Sequence, residues 1–184
     1  MQTSSIDFLK LKWSYWFTTL DVNNHGMVTR TDVEQTLSDF LKEEKLAETE
    51  GQVAVQKLDK WWNTYILKGK TQIVKEEFLK DLENEYKKDP ESFKSTYHTC
   101  VDDIIRVLDT DHTNAISLDN YIKGFKFVGQ ENETILRKSF QLFNPVDGLI
   151  PIEEYINWWT TFLTNDDPDQ KDVFLEIYKA GFLH

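Results

Sequence analysis

The 184-residue sequence is poor in cysteine, proline, glycine and methionine, and the scarcity of cysteine excludes two kinds of protein. A lone Cys100 rules out an internal disulfide framework and a zinc site built from cysteines, so we expect a small buried residue in a reducing compartment. No apolar run approaches the roughly 20 residues of a membrane-spanning helix. The first residues, Met1 to Phe8, lack the basic start and apolar run of a secretory signal. We therefore expect a cytoplasmic protein without stable membrane insertion.

Positive charge is also scarce, with 21 Lys and Arg against 32 Asp and Glu and a net charge of -11. Such a balance argues against nucleic acid as a partner and suits a protein that binds cations. The 40% hydrophobic and 14% aromatic content is enough for one compact domain, or for two small halves that share a core. We expect a monomer, and a protein target cannot be read from the sequence.

Signatures of catalysis are missing from the sequence. No Ser or Cys nucleophile stands beside a readable base, and there is no glycine-rich phosphate loop or zinc-ligand spacing. The paired acids Glu76-Glu77 and Glu153-Glu154 fall in the first turns of predicted helices, where negative charge favours the helix dipole. We therefore expect no enzyme.

The most informative stretch is residues 21–32, Asp-Val-Asn-Asn-His-Gly-Met-Val-Thr-Arg-Thr-Asp, which helical patterns flank on both sides. A calcium loop of this length supplies ligands from its first, third, fifth, seventh, ninth and twelfth places and turns at a sixth-place glycine. Gly26 occupies that turn. The candidate ligands are Asp21, Asn23, His25, the Met27 carbonyl, Thr29 and Asp32.

Two residues weaken this first loop. His25 stands where an oxygen ligand is expected, and we expect its imidazole to point away and leave the place to water or a neighbouring oxygen. Asp32 closes the loop with a side chain one methylene shorter than the usual Glu. Two-point wrapping is harder for the shorter side chain, so Mg²⁺ should compete better here than at a Glu-closed loop.

Residues 109–120 form a second credible loop, which we number the third in chain order. Its candidate ligands are Asp109, Asp111, Thr113, the Ala115 carbonyl, Ser117 and Asn120. Asn114 replaces the turn glycine at modest cost, whereas Asn120 replaces the closing Glu and supplies neither its charge nor its two-point grip. We expect weakened binding, with a Kd near or above ~10⁻⁵ M, and a loop that stays empty remains an alternative.

The second and fourth loops, residues 66–77 and 143–154, keep the flanking pattern but not the ligands. Lys68 and Lys70 stand where a calcium loop has acids, and the fourth loop is one residue short, which puts Phe143 at its first place. We expect both to be metal-free. Each loop nonetheless has an apolar eighth residue, the position that pairs loops through a short strand. These residues are Val28, Ile73, Ile116 and Ile150.

These loops divide the chain into two pairs of helix-loop-helix units. The polar stretch around Pro90 is the predicted boundary, giving an N-terminal pair over residues 1–88 and a C-terminal pair with a tail over residues 89–184. The predicted fold is all-α: four units packed into one compact body, with short β-bridges between loops.

Taken together, the chain resembles the invertebrate sarcoplasmic calcium-binding proteins, including the related calexcitins. The resemblance is carried by the aromatic helix before Asp21-Val-Asn-Asn-His-Gly, by Asp32, by Asp109-Thr-Asp, by the decayed second and fourth loops, and by the tail from Phe162. It implies four EF-hands paired first with second and third with fourth. It also implies a hydrophobic stretch, Phe174 to Phe182, that folds back on the body, and a role in cytosolic Ca²⁺ and Mg²⁺ buffering.

Two other functions remain open. A calexcitin-type calcium sensor would act on a protein target, but sensors expose methionine-rich grooves and only Met1 and Met27 are present. A relative of the luciferin-binding proteins would hold an aromatic ligand in a cavity, for which the six Trp, seven Tyr and twelve Phe provide material. Aromatic residues at helical spacing more often form core, so we expect the buffer.

Overall fold

The computed structural model describes residues 4–183, which form helices joined by loops and two short antiparallel strand pairs. The elements are α1 (Ser5–Leu20), β1 (Met27–Thr29), α2 (Arg30–Glu44), α3 (Glu48–Trp61), a π-helix (Trp62–Leu67), β2 (Gln72–Val74), α4 (Lys75–Lys88), α5 (Pro90–Leu108), β3 (Ala115–Ser117), α6 (Leu118–Lys126), α7 (Glu133–Gln141), β4 (Leu149–Pro151), α8 (Ile152–Thr164) and α9 (Val173–Lys179). Within this range no helix is both long enough and apolar enough to cross a bilayer.

The strands pair the loops as the sequence predicts. Val28 lies opposite Ile73 in the β1–β2 pair, and Ile116 lies opposite Ile150 in the β3–β4 pair. All four side chains are buried, because the eighth place of each loop points into the core. The predicted fold class, helix-loop-helix units in two pairs with short β-bridges, is therefore confirmed.

Several helices begin at residues that also belong to the candidate loops. The Thr29 hydroxyl accepts the Asp32 N–H while the Asp32 carboxylate accepts the Thr29 N–H, which is a capping box for α2. The Ser117 hydroxyl accepts the Asn120 N–H and caps α6 in the same way. The ninth residue of each candidate metal loop thus caps the exit helix and hydrogen-bonds to the twelfth residue.

The predicted boundary at Pro90 coincides with a break between helices. Asp89 caps α5 and Pro90 occupies its first turn, where a missing N–H costs nothing. One continuous cluster of buried side chains nevertheless runs through both halves. The division into 1–88 and 89–184 stays a prediction, and its outermost residues, 1–3 and 184, lie outside the described range.

The C-terminal stretch folds back on the body, as the resemblance implied. Phe174 is fully buried, and its ring stacks on Trp159 with centroids 3.8 Å apart. Tyr178 stacks on Phe162 at 5.2 Å and hydrogen-bonds to the Thr19 hydroxyl on α1. Helix α9 therefore closes the core between the first helix and the last helix-loop-helix unit.

A buried ion pair fixes this closure. The ammonium of Lys12, a side chain with no exposed surface, lies 3.1 Å from Asp172 Oδ2. It also donates to the carbonyls of Asn165, at 2.6 Å, and Thr161, at 3.3 Å. Asp172 in turn caps α9 by accepting the Leu175 N–H. Each charge has its partners, which is the condition for a buried pair to be tolerated.

We predict that Lys12→Ala lowers the free energy of unfolding by about 3–5 kcal/mol, because it leaves the Asp172 carboxylate buried without a counter-ion. Lys10→Ala is the matched control. Lys10 is on α1, as Lys12 is, and pairs with Glu83 of α4 at 2.9 Å, but it is partly exposed, so its loss should cost less than about 1 kcal/mol. Urea unfolding of both variants measures the difference, and equal losses would contradict this account of the closure.

Candidate metal-binding loops

The first loop is preformed around the carboxylate of Asp21. Asp21 caps the C-terminal end of α1, where its own N–H donates to the Phe17 carbonyl, and it is only 7% exposed. The N–H of Gly26 donates to Asp21 Oδ2 at 2.7 Å and the N–H of His25 donates to Oδ1 at 3.2 Å. Gly26 has a φ of +80°, in the left-handed region where a residue without Cβ is favoured.

The closing residue Asp32 is held by three donors. Its Oδ1 accepts from Asn23 Nδ2 at 2.5 Å, and its Oδ2 accepts from the N–H and the hydroxyl of Thr29, each at 2.8 Å. Burial acts to raise the pKa of Asp32, but these hydrogen bonds and the nearby His25 outweigh it and lower the pKa. The carboxylate therefore stays ionised and aimed into the loop.

His25 does not point away from the loop, and that prediction was wrong. Its Nδ1 lies 3.6 Å from Asp21 Oδ1 and its Nε2 lies 3.5 Å from Asp32 Oδ2, so the ring sits between the two carboxylates. Two like charges facing one loop attract a group that offers N–H donors or positive charge. The sequence prediction considered only the preference of a hard cation for oxygen.

The third loop leaves one carboxylate oxygen without a partner. Asp109, 5% exposed, accepts the Asn114 N–H on Oδ2 at 3.2 Å, whereas its buried Oδ1 has no hydrogen bond. Burial, with the neighbouring Asp111, raises the pKa of Asp109. A buried carboxylate oxygen that lacks a donor is costly unless a cation or a proton satisfies it.

Asp111 and Asn120 form a pair across the third loop that mirrors the first. Asn120 Nδ2 donates to Asp111 Oδ2 at 2.9 Å, and the Thr113 hydroxyl donates to Oδ1 at 2.8 Å. Burial opposes ionisation, but these donors hold the pKa of Asp111 at about 2. In the first loop the amide is at the third place and the carboxylate at the twelfth, and here the positions are exchanged.

The oxygen-rich set of each loop fits a hard divalent cation. The first loop gathers Asp21, Asn23, Thr29 and Asp32, and the third gathers Asp109, Asp111, Thr113, Ser117 and Asn120, while Met27 and Ala115 bring their carbonyls in β1 and β3. Over residues 4–183, no three His, Cys, Asp or Glu side chains come together as a metal-binding group. Amide, hydroxyl and carbonyl oxygens would have to complete either shell.

The second loop carries its own positive charges. Lys70 Nζ, at the fifth place, lies 2.5 Å from Glu77 Oε1 at the twelfth place and 3.4 Å from Asp81 Oδ2. Lys68 pairs with Glu85. The ammonium of Lys70 therefore meets the closing carboxylate as His25 does in the first loop. The expectation that this loop holds no metal now has a specific structural reason, and it stays a prediction.

In the fourth loop an aromatic ring takes the first place. Phe143 is 3% exposed and packs edge-to-face on Tyr155 and Phe174, with centroids 5.6 Å and 5.1 Å away. Asn144 and Asp147 both adopt left-handed backbone, which lets the shortened loop turn before β4. No carboxylate stands where a first ligand would be, and absence of metal here stays a prediction.

The third loop also contacts the N-terminal half, which sequence reasoning missed. The Thr110 hydroxyl donates to Glu44 Oε2 at 2.6 Å, and His112 Nε2 lies 3.0 Å from Glu50 Oε1. Glu44 ends α2 and Glu50 lies in the first turn of α3. No pattern in the sequence joins positions more than sixty residues apart. These contacts hold the third loop against the segment that joins α2 to α3, directly after the first helix-loop-helix unit.

Known proteins resemble this chain in sequence and in fold. No protein-family model matches the chain. The sarcoplasmic calcium-binding protein of Mizuhopecten yessoensis is 32% identical over 176 residues, which cover 95% of this chain and 99% of that protein. A calcium-loaded apo structure of the coelenterazine-binding protein from Renilla muelleri has a TM-score of 0.72 at 18% identity, covering 94% and 96% of the two chains. An amphioxus sarcoplasmic calcium-binding protein has a TM-score of 0.59 at 16% identity, covering 93% and 96%.

We predict that Asn120→Asp raises the pKa of Asp111 when a chelator keeps the protein free of metal, because the substitution replaces a hydrogen-bond donor by a like charge. Asp111 stabilises the fold above the pKa of the unfolded chain, and this contribution is lost as pH falls towards about 2. The variant should therefore lose stability at neutral pH. NMR titration of the carboxyl groups measures the pKa of Asp111. Urea unfolding at pH 7 measures the change in stability.

The matched control is Asp119→Asn, one residue earlier. Asp119 faces Lys123 at 3.0 Å and is mostly exposed, so its loss should leave Asp111 unchanged. An unchanged Asp111 pKa in Asn120→Asp would show that the hydrogen bond across the loop does not hold it.

Proposed function

This chain belongs to the family of sarcoplasmic calcium-binding proteins, and we propose that it binds Ca²⁺ at its first and third loops and acts as a cytosolic buffer. The observation that carries the proposal is the buried Asp109 Oδ1, which has no hydrogen-bond donor in a loop otherwise filled with oxygens. A cation in the third loop would satisfy this atom. At the ligand places, both loops have two aspartates and one asparagine: Asp21, Asp32 and Asn23 in the first, and Asp109, Asp111 and Asn120 in the third.

The proposed ligands follow the loop places. In the first loop they are Asp21, Asn23, the Met27 carbonyl, Thr29 and Asp32, and in the third they are Asp109, Asp111, Thr113, the Ala115 carbonyl, Ser117 and Asn120. Binding requires each asparagine to present its amide oxygen, which breaks the hydrogen bond it now donates across the loop. His25 would have to leave its place between the carboxylates or contribute a ring nitrogen. Both costs lower affinity relative to a fully acidic loop.

Mg²⁺ is the expected competitor at the first loop. Asp32 is shorter than Glu, and three hydrogen bonds restrict its movement, so two-point wrapping around a large ion is disfavoured. A smaller ion that keeps several waters needs less wrapping. We therefore propose a mixed Ca²⁺/Mg²⁺ site there, and metal-free scaffold loops in the second and fourth units.

A buffer is favoured over a sensor by the composition of the helix faces. Calcium sensors open onto a methionine-rich groove, whereas Met27 is the one methionine among residues 4–183, and it lies in β1. The helix faces are instead packed with aromatic side chains in a core that α9 closes. We propose that cation binding orders the loops and creates no large docking surface, without catalysis or a nucleic-acid partner.

We predict two binding events in calorimetric titration with Ca²⁺, of which Asp21→Ala removes one and Asp109→Ala the other. Added Mg²⁺ should weaken the event that Asp21→Ala removes. Asp147→Ala in the fourth loop is the control and should change neither event. Two events that survive both variants would mean that other residues bind the ions, and an absence of binding heat with no stabilisation by Ca²⁺ would end the proposal.

We predict that His25→Asp raises the Ca²⁺ affinity of the first loop by about tenfold, or 1.4 kcal/mol, because it exchanges an imidazole for an oxygen ligand with charge. His98→Asp, on the exposed face of α5, is the control for added negative charge. Calcium titration measures both. Equal gains in the two variants would show that net charge, and not the fifth ligand, limits affinity.

A further inference from the structure

The imidazole of His25 is the one group in the first loop that a shell of oxygen ligands leaves unused. Its ring lies between the two carboxylates of the loop, with Nδ1 3.6 Å from Asp21 Oδ1 and Nε2 3.5 Å from Asp32 Oδ2. The side chain is 42% exposed, so an ion from solution can reach it. The fifth places of the other three loops hold Lys70, Thr113 and Asp147.

A neutral His25 ring cannot satisfy both of these contacts. Neutral imidazole carries one N–H and one lone pair, yet each of its nitrogens faces a carboxylate oxygen. One nitrogen therefore turns a lone pair towards negative charge, which is repulsive unless a second proton or a metal cation lies between the two atoms. Imidazole nitrogen suits transition-metal ions such as Zn²⁺, Cu²⁺ and Ni²⁺, whereas Ca²⁺ and Mg²⁺ prefer oxygen.

The Nε2 side of the ring has the spacing of two ligands that share one ion. Zinc lies about 2.0–2.2 Å from a histidine nitrogen or a carboxylate oxygen, so two ligand atoms 3.5 Å apart would subtend an angle of about 115° at the metal. This angle is close to the tetrahedral value that zinc prefers. Asp32 Oδ2 is already held by the N–H and the hydroxyl of Thr29, each at 2.8 Å, and hydrogen bonds of this kind orient metal-binding carboxylates.

The Nδ1 side of the ring faces a group that can orient it. Histidines that bind metals almost always donate their other N–H to a carboxylate, a carbonyl or water. Asp21 Oδ1 lies near Nδ1 and also accepts the backbone N–H of His25 at 3.2 Å. The separation of 3.6 Å between Nδ1 and Oδ1 has to shorten by about 0.5 Å to become a hydrogen bond. Asp21 is then a positioning residue that acts through His25 and does not touch the ion.

We propose that the first loop binds a divalent transition-metal ion of the zinc type through His25 Nε2 and Asp32 Oδ2, with Asp21 holding the imidazole. Because only one imidazole and one carboxylate touch the ion, the Asn23 amide oxygen and water complete the shell. The inference rests on the proposed function only in placing a cation in this loop, since the ligand set and the preferred ion differ. The third loop has Thr113 at its fifth place and offers oxygen alone, so it keeps its preference for Ca²⁺.

Calorimetric titration of the metal-free protein with Zn²⁺ is the measurement, and His25→Gln is the test variant. The substitution exchanges the imidazole for an amide, whose oxygen suits Ca²⁺ better than Zn²⁺. We expect the Kd for Zn²⁺ to rise by more than about tenfold, while Ca²⁺ binding at the first loop is kept or strengthened. His112→Gln is the matched control, because His112 is an exposed imidazole whose Nε2 also faces a carboxylate, that of Glu50 at 3.0 Å. It should leave the tightest Zn²⁺ binding event unchanged.

Nitrogen-15 NMR of the imidazole rings identifies the ligand atom, and with Zn²⁺ it should place the metal on Nε2 of His25 and the proton on Nδ1. Metal on Nδ1, or no Zn²⁺ binding to the wild type, overturns the proposal. Equal Zn²⁺ affinity in the wild type and His25→Gln, or an equal loss in His112→Gln, also overturns it, because the ion then binds adventitiously at other groups. If the wild type binds no Ca²⁺ at either loop, the proposed function fails, while the Zn²⁺ titration still decides this inference.

Discussion

Repulsion between carboxylates gathered at helix ends is the constraint on which the four loops depend. The second loop relieves it with the ammonium of Lys70, and the fourth removes it by placing the ring of Phe143 at the first place. The first loop draws in His25 and the Asn23 amide. The third loop compensates this repulsion least, because Asp109 Oδ1 is left without a hydrogen-bond partner. The loops thus form a series, from one that supplies its own ammonium group to one that keeps a buried carboxylate oxygen without a hydrogen-bond partner.

The strand pairs join the loops two by two. Each candidate metal loop is joined by a strand pair to a loop that lacks the usual ligands, β1 to β2 and β3 to β4. A folded partner holds the backbone carbonyls and the start of the exit helix in position, so a cation need not organise the whole loop. The hydrogen bond between Thr110 and Glu44, together with the shared core, connects the third loop to the N-terminal half.

Spacing in the sequence was enough to predict the loops and the strand positions, whereas the closing tail was implied by the family resemblance. These features repeat locally, so that Gly26 or Ile116 is informative from its position alone. The orientation of His25 depended on the charge of two residues at opposite ends of its loop, which a place-by-place comparison with calcium loops ignored. The contact of Thr110 with Glu44 joins residues far apart in the chain, and no short-range pattern reports it.

A crystal structure of the protein grown with Ca²⁺ is the most direct test of the central claim, that the unpartnered Asp109 Oδ1 marks a cation site. The account predicts an ion in the third loop at about 2.3–2.6 Å from Asp109 Oδ1, with the Asn120 amide turned so that its oxygen faces the ion. An ion in the first loop should accompany it. A third loop without an ion, in which Asn120 still donates to Asp111 at saturating Ca²⁺, would contradict the claim.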